Sequence, residues 1–175
     1  MLLPPLVRAA PLGAVFEWRP DAEIMKVASR VRDQDGAALI IDYGHVRSDA
    51  GDTFQAIAPH SFTDPLKNPG QADVTAHVDF EALARAAEDI GARVHGPVTQ
   101  GEFLRRLGIE TRAETLMAKA GQEVSEDISA AMKRLVGGGR GGMGSMFKVL
   151  AVSEPHLTAL AGFEPTPGDA ADETP

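Results

Sequence analysis

Residues 37–42 read Ala-Ala-Leu-Ile-Ile-Asp, a continuous apolar run that ends on an aspartate. The run is too short for a typical helix and lacks polar alternation, which predicts a strand buried on both faces. A helix is predicted just before it, because apolar residues recur at helical spacing after the N-cap candidate Asp21, at Ile24, Val27, Ala28 and Val31. A helix followed by a buried strand is typical of a parallel α/β sheet.

Further elements are predicted on both sides of this unit. Asp79 is expected to cap a helix over residues 80–90 that Gly91 ends. Strands are predicted over residues 92–99, where Pro97 indicates a sheet edge, and over residues 146–152. Shorter helices are predicted over residues 101–107, 110–120 and 125–136, the last beginning at Ser125; residues 14–18 could be a short strand, 46–72 a long loop and 73–78 an extended piece.

The bulk properties exclude several classes of protein. The 175 residues are 43% hydrophobic and 24% charged, a globular composition, and carry a net charge of -8 that argues against nucleic-acid binding. The absence of cysteine excludes disulfides and thiolate metal sites, and it fits a reducing compartment. No run approaches the roughly 20 apolar residues of a membrane span, and the start of the chain is too short for a signal peptide.

Polar side chains gather at two places near the predicted strand. Tyr43, Gly44 and His45 follow directly after it, at the edge where open α/β sheets place ligands. A second group alternates along the chain, with Asp73, Thr75, His77 and Asp79 on one face if the segment is extended. From the residues alone, a pocket-lining strand and an exposed entry to the helix are equally good interpretations.

Three other kinds of site have weaker support. The histidines and acids of these segments, with His60, show no tight metal-ligand spacing, so no metal site is predicted. The glycine-rich stretch 137–144 runs from a helix into a strand, opposite to a phosphate loop, and is interpreted as a mobile connector. Gly144-Ser145 lacks the Gly-x-Ser-x-Gly frame of a hydrolase nucleophile.

Five segments together resemble the MidA-type methyltransferases, a family once called DUF185. In chain order they are Leu39-Ile-Ile-Asp-Tyr-Gly-His45, Gly51-Asp-Thr-Phe-Gln-Ala56, Pro69-Gly-Gln-Ala-Asp-Val-Thr-Ala-His-Val-Asp-Phe80, Thr99-Gln-Gly-Glu-Phe-Leu104 with Leu107-Gly-Ile109, and Met143-Gly144 leading into Phe147-Lys-Val-Leu150. The match covers about residues 14–155.

The resemblance implies the C-terminal part of a class I methyltransferase sheet, which is a Rossmann-like α/β fold, with a helical insertion at about 101–136. Residues 37–42 would be the fifth strand of that sheet, and the strands at 92–99 and 146–152 the last two, the final one antiparallel. Residues 14–155 would then form the C-terminal half of the domain. Residues 1–13 would be an irregular start and 156–175 a disordered tail.

The resemblance also implies S-adenosylmethionine as cofactor, and here the sequence departs from the family. The family's glycine-rich loop after its first strand, its ribose-binding acid and its Asn-Glu-Phe-Phe-Asp-Ala-Leu-Pro segment do not occur. We therefore expect that the chain alone binds the cofactor poorly, that the cofactor contacts cannot be named, and that strand 37–42 has an unpaired edge. A complementing N-terminal half is an expected partner.

The roles implied by the resemblance are those of a protein-arginine methyltransferase. Asp42, Tyr43 and His45 would be catalytic, and Asp73, Thr75, His77, Asp79 and Gln100 would bind the substrate. That substrate would be an arginine-containing protein, for which a respiratory complex I subunit is the family's example. The implied location is cytoplasmic for a bacterial member and mitochondrial for eukaryotic relatives. A non-catalytic protein-binding module of an assembly factor, or a truncated product without its own function, are the alternatives.

Overall fold

A computed structural model describes residues 8–18, 20–58, 61–68, 70–139 and 142–164. The helices in these ranges are α1 (Ala22–Asp33), α2 (Phe80–Asp89), α3 (Gln100–Arg106), α4 (Ile109–Met117) and α5 (Gln122–Val136). The strands are β1 (Ala37–His45), β2 (Gln55–Ala58), β3 (Ser61–Thr63), β4 (Asp73–Thr75), β5 (Val78–Asp79), β6 (Arg93–Thr99) and β7 (Phe147–Ser153). No described helix is both long and apolar enough to cross a membrane.

The larger sheet has the order β5-β1-β7-β6. β1 pairs in parallel with β5 and antiparallel with β7, and β7 is also antiparallel to β6. β7 is therefore the one strand of this sheet that runs against the others, as predicted for the last strand. The α/β class is confirmed, and the predicted strand at 37–42 continues to His45.

One face of this sheet packs against α1 and α2. Phe80 and Leu150 are fully buried in that core, together with aliphatic residues and alanines at Ile24, Ala28, Ala86, Ala87, Ala92 and Val152. Alanines in the helices allow them to lie close to the sheet, which suits a chain that is only 5% aromatic.

The prediction that residues 37–42 are buried on both faces is wrong. Ile40 packs against the core, whereas Leu39, Ile41 and Tyr43 on the opposite face are about half exposed. The ladder partners of β1 on its outer side begin only at Gly44, so the outer edge of residues 37–43 has no partner strand in the described chain. An apolar run predicts a strand, but not which layers cover it.

The prediction of a loop over residues 46–72 is also wrong, because β2 and β3 lie within it. With β4 they form a second, antiparallel sheet of order β3-β2-β4, here called the arm sheet. Strands of three and four residues give almost no periodicity in the sequence. The extended piece predicted over 73–78 is confirmed in part by β4 and β5.

Helix starts follow local chemistry where a side chain caps the helix. Asp79 accepts a hydrogen bond from Ala82 N at the start of α2, and Thr99 forms a capping box with Glu102 at the start of α3. Asp21 stands at the N-cap position of α1 but makes no capping bond. α5 begins at Gln122, so the start predicted at Ser125 is wrong.

The segment 14–18 is not a strand, although its backbone is held by a hydrogen bond from Gly51 N to Val15 O at 2.9 Å. This single hydrogen bond does not continue into a β-ladder on either side. The prediction is wrong because the apolar residues there give no information on whether a partner strand is near.

The glycine-rich stretch allows backbones to approach closely. Gly101 N donates to Gly144 O at 2.9 Å, and a Cβ on Gly144 would overlap the Val136 carbonyl. The described glycines therefore serve the junction between α3, α5 and β7. Arg140 and Gly141, the start at 1–7 and the tail from Pro165 lie outside the described residues.

Candidate functional site

A cavity of about 230 Å³ lies at the C-terminal end of β1. Its walls come from four separate segments of the chain, namely the residues before α1, the end of β1 with the connection that follows, the start of the arm sheet, and the entry to α2. The lining residues are Glu17, His45, Asp49, Ala50, Gly51, Thr53, His77 and Asp79.

Parallel pairing of β1 with β5 brings two of these residues together. Gly44 lies opposite Val78, and His45 lies opposite Asp79. A Cβ on Gly44 would overlap the Val78 carbonyl oxygen and the Phe80 ring. Glycine at this position therefore permits the close approach of β5 that places Asp79 beside His45.

Asp79 has its carboxylate engaged on both oxygens. Oδ1 accepts from Ala82 N at 3.0 Å and Oδ2 accepts from the Ser48 hydroxyl at 2.7 Å, while His45 Nε2 lies 3.9 Å from Oδ2. Ser48 is buried, and its N–H donates to Glu81 Oε2 at 2.6 Å. Asp79 thus links β1, the connection after it and α2, which is a positioning role.

Glu17 also lines the cavity, and it holds the segment that leads into the arm sheet. The Thr53 N–H donates to Glu17 Oε1 at 3.1 Å, and the Thr53 hydroxyl donates to Oε2 at 2.5 Å. The same hydroxyl oxygen accepts from His77 N at 2.9 Å. Thr53, two residues before β2, therefore joins the segment before α1 to His77, two residues after β4.

The lining combines three carboxylates with two imidazoles and contains no lysine or arginine. Such a wall favours a cation that donates several hydrogen bonds, and a planar guanidinium fits carboxylate oxygens particularly well. In the described part of the chain, no cluster of three or more histidines and acids has the arrangement of a metal site. His60, considered for metal binding, lies outside the described residues.

The structure brings together three of the eight residues predicted for the site, His45, His77 and Asp79. Asp42 accepts from Tyr43 N and lies opposite Lys148 on β7, and the Tyr43 ring stacks at 4.1 Å from that of Phe147. These two residues lie outside the cavity, and their catalytic roles stay predictions.

The other three predicted substrate-binding residues also lie outside the cavity. Asp73 and Thr75 are exposed on β4, close to the cavity along the chain. Gln100 begins α3 and is buried, and its side chain donates to Leu135 O at 2.8 Å, which joins α3 to α5.

Sequence reasoning missed Glu17, Asp49 and Thr53. Glu17 is the single acid in an otherwise apolar segment, Ala-Val-Phe-Glu-Trp, which was a possible signal for a carboxylate with a specific partner. Asp49 accepts from the next residue's N–H and resembles an ordinary turn residue. Only the tertiary structure shows that these residues line the same cavity as His45.

Perturbed pKa values lie away from the cavity. Burial, with Arg93 nearby, lowers the pKa of His95, whose Nε2 is 2.9 Å from the Ser153 hydroxyl. Burial also lowers the pKa of Lys148, which donates to the carbonyls of Ser145 and Met146. Both groups are near β7 and serve packing there.

Comparisons with known proteins agree with this architecture. Residues 2–98 match the family model described as "Putative S-adenosyl-L-methionine-dependent methyltransferase". The chain is 41% identical over 141 residues to a mitochondrial protein arginine methyltransferase NDUFAF7 homolog of Drosophila melanogaster, covering 79% of this chain and 31% of that protein. The corresponding Xenopus tropicalis protein is 40% identical, with coverage of 74% and 29%.

Two solved structures from Burkholderia thailandensis share the fold. A COG1565 superfamily protein aligns with a TM-score of 0.67 and 30% identity, over 82% of this chain and 39% of that one. A COG1565 superfamily member bound to S-adenosyl-homocysteine aligns with a TM-score of 0.65 and 29% identity, over 82% and 38%. The chain thus spans about a third of the length of these relatives. Because the family model matches more than half of its residues, the chain belongs to the S-adenosyl-L-methionine-dependent methyltransferase family that this model describes.

Proposed function

We propose that this chain is part of a protein-arginine methyltransferase and that its cavity holds the guanidinium of the target arginine. The observation that carries the proposal is a lining of three carboxylates and two imidazoles, without a lysine or arginine, at the C-terminal end of β1. This is the edge at which α/β sheets place ligands. The two animal relatives whose names specify arginine methylation support the same acceptor.

The cavity residues would orient the acceptor and take up its proton. Glu17 and Asp49 would accept guanidinium N–H groups, so that one terminal nitrogen is held in a fixed position. Transfer of a methyl group to that nitrogen leaves a proton to be removed, for which His45 or His77 is placed in the lining. Asp79 would keep His45 in position. The cofactor, when bound, supplies the electrophilic methyl group.

We propose further that the described residues form only part of an S-adenosylmethionine site, and two observations support this. The cavity is smaller than the roughly 300–1,000 Å³ of most small-molecule sites. The sequence also contains no glycine-rich turn from a strand into a helix, where a dinucleotide or nucleoside would be held. We propose that the isolated chain binds the cofactor weakly. Residues 14–155 would form the C-terminal half of the domain, with its helical region at 101–136. In the longer relatives, the remaining cofactor contacts would come from the part of their chains that does not align with this one.

Calorimetric titration with N-acetyl-arginine amide tests the proposed cavity. Each neutralising substitution, Asp49→Asn or Glu17→Gln, is expected to weaken binding by about tenfold or more, since a hydrogen bond to a charged group contributes about 1.5–3 kcal/mol. Glu114→Gln, which neutralises an exposed acid on α4, is the matched control and should change nothing. Equal binding of N-acetyl-lysine amide, or no effect of both cavity substitutions, would contradict the proposal.

A second titration, with S-adenosylmethionine, tests the cofactor proposal independently. The isolated 175-residue chain should show no micromolar binding. Micromolar binding would show that the described residues hold the cofactor by themselves, and that part of the proposal would be wrong.

A non-catalytic module that docks a partner, such as a respiratory complex I subunit, is the second candidate function. The exposed apolar residues Phe62, Ile57 and Leu66 favour it, because they offer contact area beside the cavity region. Methyl transfer to an arginine peptide, when the chain is mixed with the remaining part of the Burkholderia relative, would support the enzyme. Tight partner binding without any methyl transfer would support the module.

A further inference from the structure

The arm sheet leads directly into the cavity. β2 begins two residues after Thr53, and β4 ends two residues before His77; both of these residues line the cavity. An extended chain advances about 3.3 Å per residue. Ile57 on β2, four residues after Thr53, therefore lies at most about 13 Å from it along the strand.

One face of the arm sheet presents an apolar pair next to a carboxylate. Ile57 lies opposite Phe62 on β3 and opposite Asp73 on β4, and cross-strand partners share a face. Phe62 is 75% exposed and Ile57 42%, and Asp73 is exposed beside them. On the opposite face Ala56 is buried, although its partner Val74 on β4 is 52% exposed. The exposed face is therefore a small apolar surface with one acidic border.

The charge around this face selects the sign of its partner. Residues 46–79 contain five aspartates but only Arg47 and Lys67 as basic residues, within a chain of net charge -8. An acidic segment or a nucleic acid would be repelled, whereas a basic polypeptide would be attracted.

We infer that the Ile57–Phe62 face docks the extended, basic segment of a protein substrate that carries the target arginine. With the arginine in the cavity, a substrate residue about four positions away reaches this face, because four extended residues span about 13 Å. An apolar side chain there packs on Ile57 and Phe62, and a neighbouring basic side chain meets Asp73. The inference rests on the proposed function, since it uses the arginine as its anchor.

Two labelled peptides and fluorescence anisotropy test this docking. Both are short chains of glycine, serine and lysine with one central arginine; the first has leucine four residues to either side, and the second has serine there. The wild-type chain should bind the leucine peptide about tenfold tighter, since the leucine side chain buries apolar surface on this face and the serine side chain does not. The double substitution Ile57→Ser with Phe62→Ser should abolish that preference.

Matched variants separate the arm sheet from the cavity. Val124→Ser removes a comparably exposed apolar side chain on α5 and should leave the preference intact. Asp73→Asn keeps the shape and should weaken both peptides about threefold, with a smaller salt dependence. Because all these residues are exposed, each variant should keep the wild-type melting temperature. If the double variant does not fold, the single variant Phe62→Ser replaces it in the peptide-binding test.

The outcomes distinguish the two proposals. A leucine preference that survives both Ile57→Ser and Phe62→Ser overturns the docking inference, and so does equal or undetectable binding of the two peptides by the wild-type chain. In both cases the titration with N-acetyl-arginine amide still decides the cavity proposal. If the arm variants act but Glu17→Gln and Asp49→Asn do not, the face binds an apolar side chain without an arginine anchored in the cavity, and both the proposed function and the inferred spacing of four residues are overturned.

Discussion

β7 and β1 are neighbouring strands of similar apolar character that differ in how far they are paired and buried. β7 has paired strands on both sides, and its residues from Val149 to Ser153 are buried on both faces. β1 only partly buries one face, exposes Leu39, Ile41 and Tyr43 on the other, and ends at the cavity. The comparison indicates that buried packing is concentrated around β7, whereas β1 and the segments at its end are the part of the molecule for which we propose a binding role.

The largest expected effect is on the β7 side. Leu150→Ala should lower the free energy of unfolding by about 2–5 kcal/mol, because Leu150 is fully buried and truncation leaves a cavity in the core. Ile41→Ala, which truncates a half-exposed residue on β1, should cost about 1 kcal/mol or less. Urea denaturation followed by circular dichroism measures both. Equal losses would contradict the contrast between the strands.

A smaller but more local effect is expected where β1 meets β5. Gly44→Ala would place a methyl group against the Val78 carbonyl and the Phe80 ring, so we expect a loss of about 1–3 kcal/mol. Because the methyl group would push β5 away from β1 and so separate His45 from Asp79, binding of N-acetyl-arginine amide should weaken as well. Gly36→Ala, which lies outside the cavity and would bring the new Cβ no closer than 3.8 Å to Val31, is the control. An unchanged stability would show that β5 does not depend on this close approach.

Two substitutions of Asp79 distinguish the contribution of its N-capping hydrogen bond from that of its negative charge. Asp79→Ala removes the acceptor for Ala82 N and Ser48 Oγ and should destabilise the chain by about 1–2 kcal/mol. Asp79→Asn keeps a capping oxygen and should recover most of that stability, since asparagine is an equally good N-cap. Thermal unfolding of the two variants measures the difference. Equal destabilisation by both would mean that the carboxylate charge, rather than the cap, holds this junction.

The smallest expected effect is a pH dependence from the buried His95 beside β7. Its pKa in the folded chain lies below the ordinary value of about 6.5, because burial disfavours the charged ring. As the pH falls, the unfolded chain takes up this proton first, so stability should decrease below about pH 6.5 until the folded form protonates too. His95→Gln should reduce the loss of stability between pH 7.5 and 5.5. Equal pH dependence of the wild-type chain and this variant would contradict this role.

The sequence predicted those helices and strands whose own residues carry a local signal. The run at 37–42, the capped helix at Asp79 and the strand ending at Thr99 all carry local signals, and the structure has them. The short strands of the arm sheet have no such signal, because three or four residues gain a ladder only from the neighbouring segments that pair with them. The open face of β1 was missed for a related reason, since apolar residues show a tendency for burial and not the presence of a covering layer.

The same distinction applies to the cavity. His45, His77 and Asp79 stand next to predicted strand and helix ends, so their common location was predictable. Glu17 is 36 residues from Thr53 along the chain, and nothing local in either segment indicates that they are bonded. Sites assembled from distant segments depend on tertiary contacts that composition and periodicity do not encode.

The position of a bound guanidinium tests the central claim most directly. A crystal of the chain soaked with N-acetyl-arginine amide should show the guanidinium within hydrogen-bonding distance of the Glu17 or Asp49 carboxylate, with His45 and His77 around it. Guanidinium density at any other place, together with an empty cavity at saturating ligand, would contradict the claim that this end of β1 holds the methyl acceptor.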